Sequence, residues 1–267
     1  MRIEGSRVVV TGASSGLGAA LAAEFARKGA VVVLAARRLE RLRQVAARIT
    51  SEFPQAPTPL VVKCDVRVKK DVANLVKSCV DRLGGTDIMV NNAGTAVYGE
   101  TARVSVEDFQ DVFEVNFFGA LRCMYEVLPV MKRQGKGLIV NISSVAGLHG
   151  IPYLATYSSS KAGLMAVSQS LRAEQAIRKT GVRVMIVCPG YVQTEMFEKE
   201  KNVGGGHRPR HPYRPAPKVA AAIVKAIERG KRDLVMTLEG KALAVFKGLL
   251  PGLNEMTMRK IARKLRD

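Results

Sequence analysis

Residues 8–18 read VVVTGASSGLG, an apolar strand followed by a glycine-rich turn that opens an Ala- and Leu-rich helix. Glycines at such a junction let the backbone turn tightly and approach a ligand. The first N–H groups of the following helix attract a phosphate. An ordinary strand-to-helix turn is the alternative, but the position at the first such junction favours nucleotide binding. The candidate binding residues are Gly12, Ser14, Ser15, Gly16, Leu17 and Gly18.

Apolar strands alternate with helical patterns through the rest of the chain. The strand-like runs after the first are Val31–Ala35, Leu60–Lys63, Asp87–Asn91, Leu138–Ile142, Arg183–Cys188 and Leu234–Met236. Near-continuous apolar strands separated by helices are typical of a parallel sheet covered on both faces. The sequence therefore predicts one α/β domain over residues 1–267. Its architecture would be a Rossmann-type doubly wound parallel sheet of about seven strands.

Composition narrows the class of protein. The chain has 267 residues, of which 47% are hydrophobic, as expected of a globular protein. The sequence shows no signal peptide and no apolar run of about 18 residues, so we expect a cytoplasmic location. The widely spaced cysteines predict buried free thiols rather than disulfides, and the three scattered histidines predict no metal site.

Net charge is +19, and residues 199–267 hold 17 Lys and Arg against 6 Asp and Glu. A solvated basic surface, an acidic partner, an anionic membrane and nucleic acid are the alternatives. Nucleic acid is disfavoured because the chain has no Trp and only 5% aromatic residues for stacking.

Tyr157 and Lys161 lie four residues apart in the segment YSSSK, and a helix places both on one face. A phenol has a pKa of about 10, and a nearby ammonium group stabilises the phenolate and lowers that pKa. The pair is therefore a candidate proton donor and acceptor for chemistry at a C–OH or C=O group. A chance contact on a helix surface is the alternative.

The turn and the Tyr–Lys pair belong to a longer series of motifs. Between them lie Asn91-Asn92-Ala93-Gly94, Asn116 and Ser144, and the segment CPGYVQT at 188–194 follows the sixth strand. In order and spacing over residues 7–195, about three quarters of the chain, the sequence resembles the short-chain dehydrogenase/reductase family. The resemblance implies an enzyme that interconverts carbonyl and alcohol groups with a nicotinamide cofactor.

The resemblance implies four catalytic residues: Asn116, Ser144, Tyr157 and Lys161. Tyr157 would be the general acid in reduction and the base in oxidation, while Lys161 would bind the nicotinamide ribose and lower the pKa of Tyr157. Ser144 would hydrogen-bond the substrate carbonyl, with the adjacent Ser143 as the less well-spaced alternative. Asn116 would hold a water in a proton relay with Lys161. Its alternative role is to cap a local carbonyl inside a helix.

The resemblance also implies further cofactor contacts. Besides the turn, Tyr157 and Lys161, they come from Asp65, Val66, Asn92, Ala93, Gly94, Pro189, Gly190, Val192 and Thr194. Asp65 and Val66 would meet the adenine.

Arg37 and Arg38 end the second strand, where an NAD-selective site presents Asp or Glu to the ribose 2′-hydroxyl. An arginine there suits a 2′-phosphate, so the sequence favours NADP(H) over NAD(H). A surface arginine at a strand end is the alternative.

Residues 191–217 predict a flexible substrate lid because they hold three consecutive glycines and four prolines. Met196 and Phe197 would make its start apolar. The candidate pocket walls are Leu148, His149, Ile151, Tyr153 and Tyr191. We therefore expect a hydrophobic ketone or secondary alcohol, lipid-like or steroid-like. A 3-oxoacyl-thioester reductase is the alternative within the enzymes. A nucleotide-sensing regulatory protein is the alternative from another class.

The family resemblance also bears on assembly. We expect a homodimer through the helices 106–133 and 157–179, with a tetramer as the alternative. Residues 238–267 form a basic amphipathic extension that departs from the commonest family pattern. Contact with an anionic membrane and packing against the domain or a partner subunit are its two alternatives.

Overall fold

The structure, a computed structural model, describes residues 1–198, 201–204, 213–238, 240 and 251–265. The strands of this part of the chain are β1 (Arg7–Thr11), β2 (Val31–Ala36), β3 (Leu60–Lys63), β4 (Ile88–Asn91), β5 (Val97–Tyr98), β6 (Gly137–Ile142), β7 (Val182–Cys188), β8 (Lys201–Asn202) and β9 (Asp233–Val235). Seven of them form one parallel sheet in the order β3-β2-β1-β4-β6-β7-β9. Strands β5 and β8 pair separately.

The helices of the described residues are α1 (Gly16–Arg27), α2 (Leu39–Glu52), α3 (Lys69–Leu83), α4 (Val106–Phe113), α5 (Gly119–Gln134), α6 (Ala155–Ile177), α7 (Glu195–Glu198), α8 (Ala216–Glu228) and α9 (Pro251–Leu265). A π-helical turn, Glu114–Phe118, joins α4 to α5, and a short 3-10 turn, Val145–Gly147, precedes α6.

Helices cover the sheet on both faces because successive strand residues point in opposite directions. Val8 and Val10 of β1 pack in a cluster with α1, α2 and α8, whereas Val9 packs in a second cluster with α3, α5 and α6. The predicted Rossmann-type parallel sheet of about seven strands is therefore confirmed. Parallel connections place the carboxyl ends of its strands along one edge, where the loops gather.

One helix differs from the sequence prediction. The pattern predicted a continuous helix over residues 106–133, but the π-helical turn interrupts it. This turn contains Asn116, whose side chain bonds the backbone of Thr95 in another loop. A π turn widens the helix locally, which lets a side chain leave the regular spacing.

Two predicted segments fall partly outside the described residues. Residues 199–200 and 205–212 of the predicted lid and residues 239, 241–250 and 266–267 of the basic extension belong there. The division into domain, lid and extension stays a prediction. No helix within the described ranges combines the length and the apolar character needed to cross a bilayer.

Candidate active site

A cavity of about 490 Å³ opens at the carboxyl edge of the sheet. Every cofactor-binding residue predicted from the sequence lines it, from the glycine-rich turn to Thr194. Ser144, Tyr157 and Lys161 line the same cavity, whereas Asn116 is buried and is not among the described residues that line it. The cavity therefore brings together residues that are up to 182 positions apart in the chain.

The glycine-rich turn is shaped so that side chains are excluded. Gly12 has φ 67°, and a Cβ there would lie 2.9 Å from Ala93 Cα. A Cβ at Gly18 would collide with the carbonyl oxygen of Gly12. Ser15 is the N-cap residue before α1 but makes no side-chain cap, which leaves the N-terminal N–H groups of α1 to an anion. The turn fits the diphosphate of a dinucleotide.

Arg38 ties the end of β2 to this turn. Its guanidinium donates to the hydroxyls of Ser14 at 2.9 Å and Ser15 at 2.8 Å. Arg37 also lines the cavity and is exposed. Two arginines thus line the cavity next to the turn, and hydrogen bonds hold one of them, Arg38.

Asp65 follows β3 and lines the same cavity. Its carboxylate accepts hydrogen bonds from Arg67, and these bonds lower the pKa of Asp65. The carboxylate is therefore ionised at neutral pH and already paired. Arg67 lines the cavity as well, and no motif in the sequence indicates it.

Helix α6 carries Tyr157 and Lys161 on its buried side, with exposures of 7% and 3%. Lys161 Nζ lies 5.6 Å from the centroid of the Tyr157 ring and donates to Ile142 O at 2.9 Å. Burial lowers the pKa of Lys161 to about 8. The ammonium form therefore predominates at neutral pH, next to the phenol.

Ser144 precedes the 3-10 turn, and its Oγ accepts a hydrogen bond from Ala146 N at 3.1 Å. Because the oxygen accepts this bond, the hydroxyl hydrogen can be donated to an oxygen in the cavity. The hydroxyl of Ser143 instead donates to Lys161 O at 3.0 Å. The two neighbouring serines are therefore not equivalent as donors to a ligand.

Asn116 is held from three directions. Its Oδ1 accepts from Thr95 N at 2.8 Å, and its Nδ2 donates to Thr95 O at 2.9 Å and to Ser160 Oγ at 3.0 Å. Ser160 in turn donates to Tyr157 O. The asparagine thereby joins the loop after β4 to the helix that carries Tyr157.

A buried polar chain fixes the same helix to the sheet. Asn91 Nδ2 donates to Asn141 Oδ1 at 2.7 Å, and Asn141 Nδ2 donates to Ser168 Oγ at 2.7 Å. Ser168 lies seven residues after Lys161, on the same side of α6. These bonds orient α6 relative to β4 and β6.

The cavity lining also includes a mostly apolar group of residues. Its members are Val145, Ile151, Leu154, Tyr191 and Met196. Of the pocket walls predicted from the sequence, Ile151 and Tyr191 are among these residues, whereas Leu148, His149 and Tyr153 are not among the described residues that line it. Tyr153 has φ 64° and stacks on Tyr98 with ring centroids 5.9 Å apart. Phe197 lies in α7, and its side chain is outside the described part.

A family model described as short chain dehydrogenase matches residues 6–203. The chain belongs to the short-chain dehydrogenase/reductase family. The predicted family and oxidoreductase class are therefore confirmed. A dehydrogenase/reductase SDR family protein 7-like from Anopheles gambiae is 33% identical over 279 residues, covering 98% of this chain and 85% of that protein. Ketoacyl reductase HetN from Nostoc sp. is 34% identical over 88% of this chain and 79% of its own length.

Solved structures of short-chain dehydrogenases resemble this fold over most of the chain. A short-chain dehydrogenase from Burkholderia cenocepacia in complex with NADP has a TM-score of 0.81 at 27% identity, covering 97% of this chain and 99% of its own. A short-chain dehydrogenase/reductase from Burkholderia phymatum in complex with NAD shares the fold, with a TM-score of 0.85 at 24% identity over 95% and 96%. A nicotinamide cofactor is therefore expected, and the choice between the two stays a prediction.

Proposed function

We propose that the protein is an NADP(H)-dependent oxidoreductase that interconverts a ketone and a secondary alcohol on a hydrophobic substrate. The observation that carries the proposal is the shared cavity. A phosphate-binding turn, two arginines and the Tyr157–Lys161 pair open into it together. Such a combination suits hydride transfer coupled to proton transfer.

The proposed mechanism assigns separate tasks to three side chains. A bound nicotinamide supplies or accepts the hydride. In reduction, Tyr157 gives its phenolic proton to the substrate oxygen, and Ser144 donates a hydrogen bond to that oxygen as negative charge develops. The Lys161 ammonium stabilises the phenolate that remains. In oxidation, the phenolate takes the proton back.

Asn116 acts on this set as a positioning residue. Its side-chain amide is used by Thr95 and Ser160, which favours the structural role over direct binding by the side chain. The proposed water relay to Lys161 would then use another atom of the π-helical turn.

NADP(H) is proposed over NAD(H) because of the charge at the end of β2. Arg37 and Arg38 line the cavity there, and an acid that could bind a ribose 2′-hydroxyl is missing from these two positions. Arg38 also contacts the turn through Ser14 and Ser15, so its planar group is fixed before a ligand arrives.

The substrate is proposed to be hydrophobic because Ile151, Leu154 and Met196 line the cavity and pack in one cluster with Tyr157. A 3-oxoacyl thioester is the alternative, and the similarity to ketoacyl reductase HetN supports it. Both substrates present a carbonyl to the same residues.

The test is to incubate the protein with a panel of ketones and 3-oxoacyl thioesters, using either NADPH or NADH. Turnover is measured as the loss of absorbance of the reduced nicotinamide. We expect turnover with NADPH and loss of turnover in Tyr157→Phe. Tyr125→Phe is the matched control, because Tyr125 on α5 does not line the cavity and the substitution keeps its aromatic ring for the proposed subunit contact. Full activity of Tyr157→Phe would refute the mechanism. Tight binding of NADPH without any turnover would favour the nucleotide-sensing alternative.

A homodimer through α4, α5 and α6 is also proposed. Val106 on α4 is 67% exposed and Tyr125 on α5 is 64% exposed. Large apolar side chains that a partner subunit covers in a dimer are exposed in this way when one chain is considered alone. Sedimentation of the wild type and of Val106→Glu would test it, because a charge in the contact should produce monomers.

The basic extension at 238–267 keeps its two alternatives. Helix α9 carries Arg259, Lys260 and Arg263, which are exposed, and Met258 and Ile261, which are half-buried. Co-sedimentation with anionic vesicles at low and high salt separates contact with a membrane surface from packing within the protein.

A further inference from the structure

Glu195 lies beside Ser14, Ser15 and Gly16 of the glycine-rich turn and pairs with two arginines that follow β2. It is the first residue of α7, and its carboxylate oxygens accept from Arg41 Nη1 at 2.7 and 2.9 Å. Arg38 Nη1 lies 3.5 Å from the same carboxylate. These two arginines are more than 150 residues away in the chain, so no sequence pattern indicates the contact.

The neighbours of Glu195 place it at the turn that would hold the cofactor phosphates. Thr194 lies so close to Gly16 that a Cβ at Gly16 would be 3.0 Å from it. The Arg38 guanidinium, which faces Glu195, also donates to Ser14 and Ser15. Glu195, Arg38 and the turn therefore form one continuous polar edge.

The charges along this edge make Glu195 a competitor for an anionic ligand. Arg38 is the cation that a phosphate beside Ser14 and Ser15 would meet. Glu195 pairs with both Arg38 and Arg41 and so offsets one of their two charges. The carboxylate is 35% exposed and the arginines are 43% and 42% exposed, so solvent screens the ion pairs and they can be exchanged. A phosphate near them also repels the carboxylate.

We propose that Glu195 is a specificity-determining residue that limits the preference for NADPH over NADH, because its carboxylate competes with the adenosine 2′-phosphate for Arg38 and Arg41. The inference rests on the proposed function. It assigns Arg41 as a second cation for the 2′-phosphate, available once Glu195 has moved away. NADH lacks that phosphate and leaves the ion pair intact.

The test is calorimetric titration of the full chain with NADPH and NADH. Glu195→Gln should bind NADPH about 5- to 10-fold more tightly, while NADH affinity changes less than about twofold; tenfold corresponds to about 1.4 kcal/mol. Glu40→Gln is the matched control. It removes the same charge from α2, one residue before Arg41, but from an exposed pair with Arg43. In Glu40→Gln, the affinity for NADPH relative to that for NADH should equal the wild-type value.

A second variant tests the role given to Arg41. Arg41→Gln should weaken NADPH binding and leave NADH binding nearly unchanged. Circular dichroism establishes that each variant is folded. If the wild type binds both nucleotides and Glu195→Gln does not raise the affinity for NADPH relative to that for NADH, the inference is wrong and the proposed function stands. If the wild type binds neither nucleotide, the proposed function itself is wrong.

Discussion

Lys161 carries an ammonium group that is buried beside the Tyr157 ring, and its replacement by methionine should reveal the cost of that burial. The substitution keeps a long unbranched side chain but removes the charge. We expect Lys161→Met to be inactive as a reductase, since no ammonium remains to stabilise a phenolate. We also expect it to be more stable towards unfolding than the wild type at neutral pH.

The magnitude follows from the pKa. Burial lowers the pKa of Lys161 from 10.5 to about 8, which corresponds to about 3 kcal/mol against the charged form in the folded protein at pH 7. The variant also loses the hydrogen bond from Lys161 to the buried carbonyl oxygen of Ile142, at a cost of about 1 kcal/mol. The expected gain is therefore about 2 kcal/mol.

The pH dependence has a definite sign. Below about pH 8 the folded and unfolded proteins both hold the proton, so the full cost is present. Between about pH 8 and pH 10.5 the unfolded chain binds more protons than the folded protein, so the stability of the wild type rises with pH. The advantage of Lys161→Met should shrink by about 2 kcal/mol between pH 7 and pH 9.5.

Urea denaturation followed by circular dichroism, without nucleotide and at fixed protein concentration, measures these free energies of unfolding. Lys77→Met is the control, because Lys77 is exposed on α3 and pairs with Asp81 at the surface. Its stability difference from the wild type should be small over the same pH range. A Lys161→Met protein that is less stable at pH 7, with a difference independent of pH, would refute the reasoning.

Three further predictions concern the turn, the polar chain and the opposite edge of the sheet. Gly18→Ala should bind NADPH more than about tenfold less tightly by calorimetry, because its methyl group would collide with the turn. Ser168→Ala should lower the free energy of unfolding in urea by about 1–3 kcal/mol, since Asn141 loses a buried partner. Burial would raise the pKa of Asp87, but the hydrogen bonds from Arg7 outweigh it and the pKa is lowered. Asp87→Asn should therefore cost about 3 kcal/mol at pH 7, and acid titration should show this gap closing below about pH 4.

Much of the sheet could be predicted from the sequence because its strands are short apolar runs bounded by glycine, proline and polar residues. The run Val31–Ala35 is nearly the observed β2, and Leu60–Lys63 is β3. The turn at Gly12 could be predicted as well, since only a residue without a Cβ fits its backbone. These features depend on neighbours within a few positions.

Features that depend on distant partners could not be predicted. The π-helical turn at 114–118 accompanies hydrogen bonds from Asn116 to Thr95 in the loop after β4 and to Ser160 in α6, and no local pattern indicates them. Tyr153 resembles a pocket wall in the sequence, but its positive φ turns it onto Tyr98. The Glu195 ion pairs depend on where α7 meets α2, which only the folded chain defines.

Helix α6 has a consequence for how this protein can change over evolution. Tyr157, Lys161 and Ser168 keep to one side of a single 23-residue helix because their spacings approximate whole turns. One residue inserted between Tyr157 and Ser168 would rotate the two ends by about 100° relative to each other. It would separate the Tyr157 phenol either from the Lys161 ammonium or from the hydrogen bond of Ser168 with Asn141 in the sheet. Substitutions can retune this segment gradually, whereas a change of length by one residue cannot. Length variation should therefore fall outside the segment from Tyr157 to Ser168.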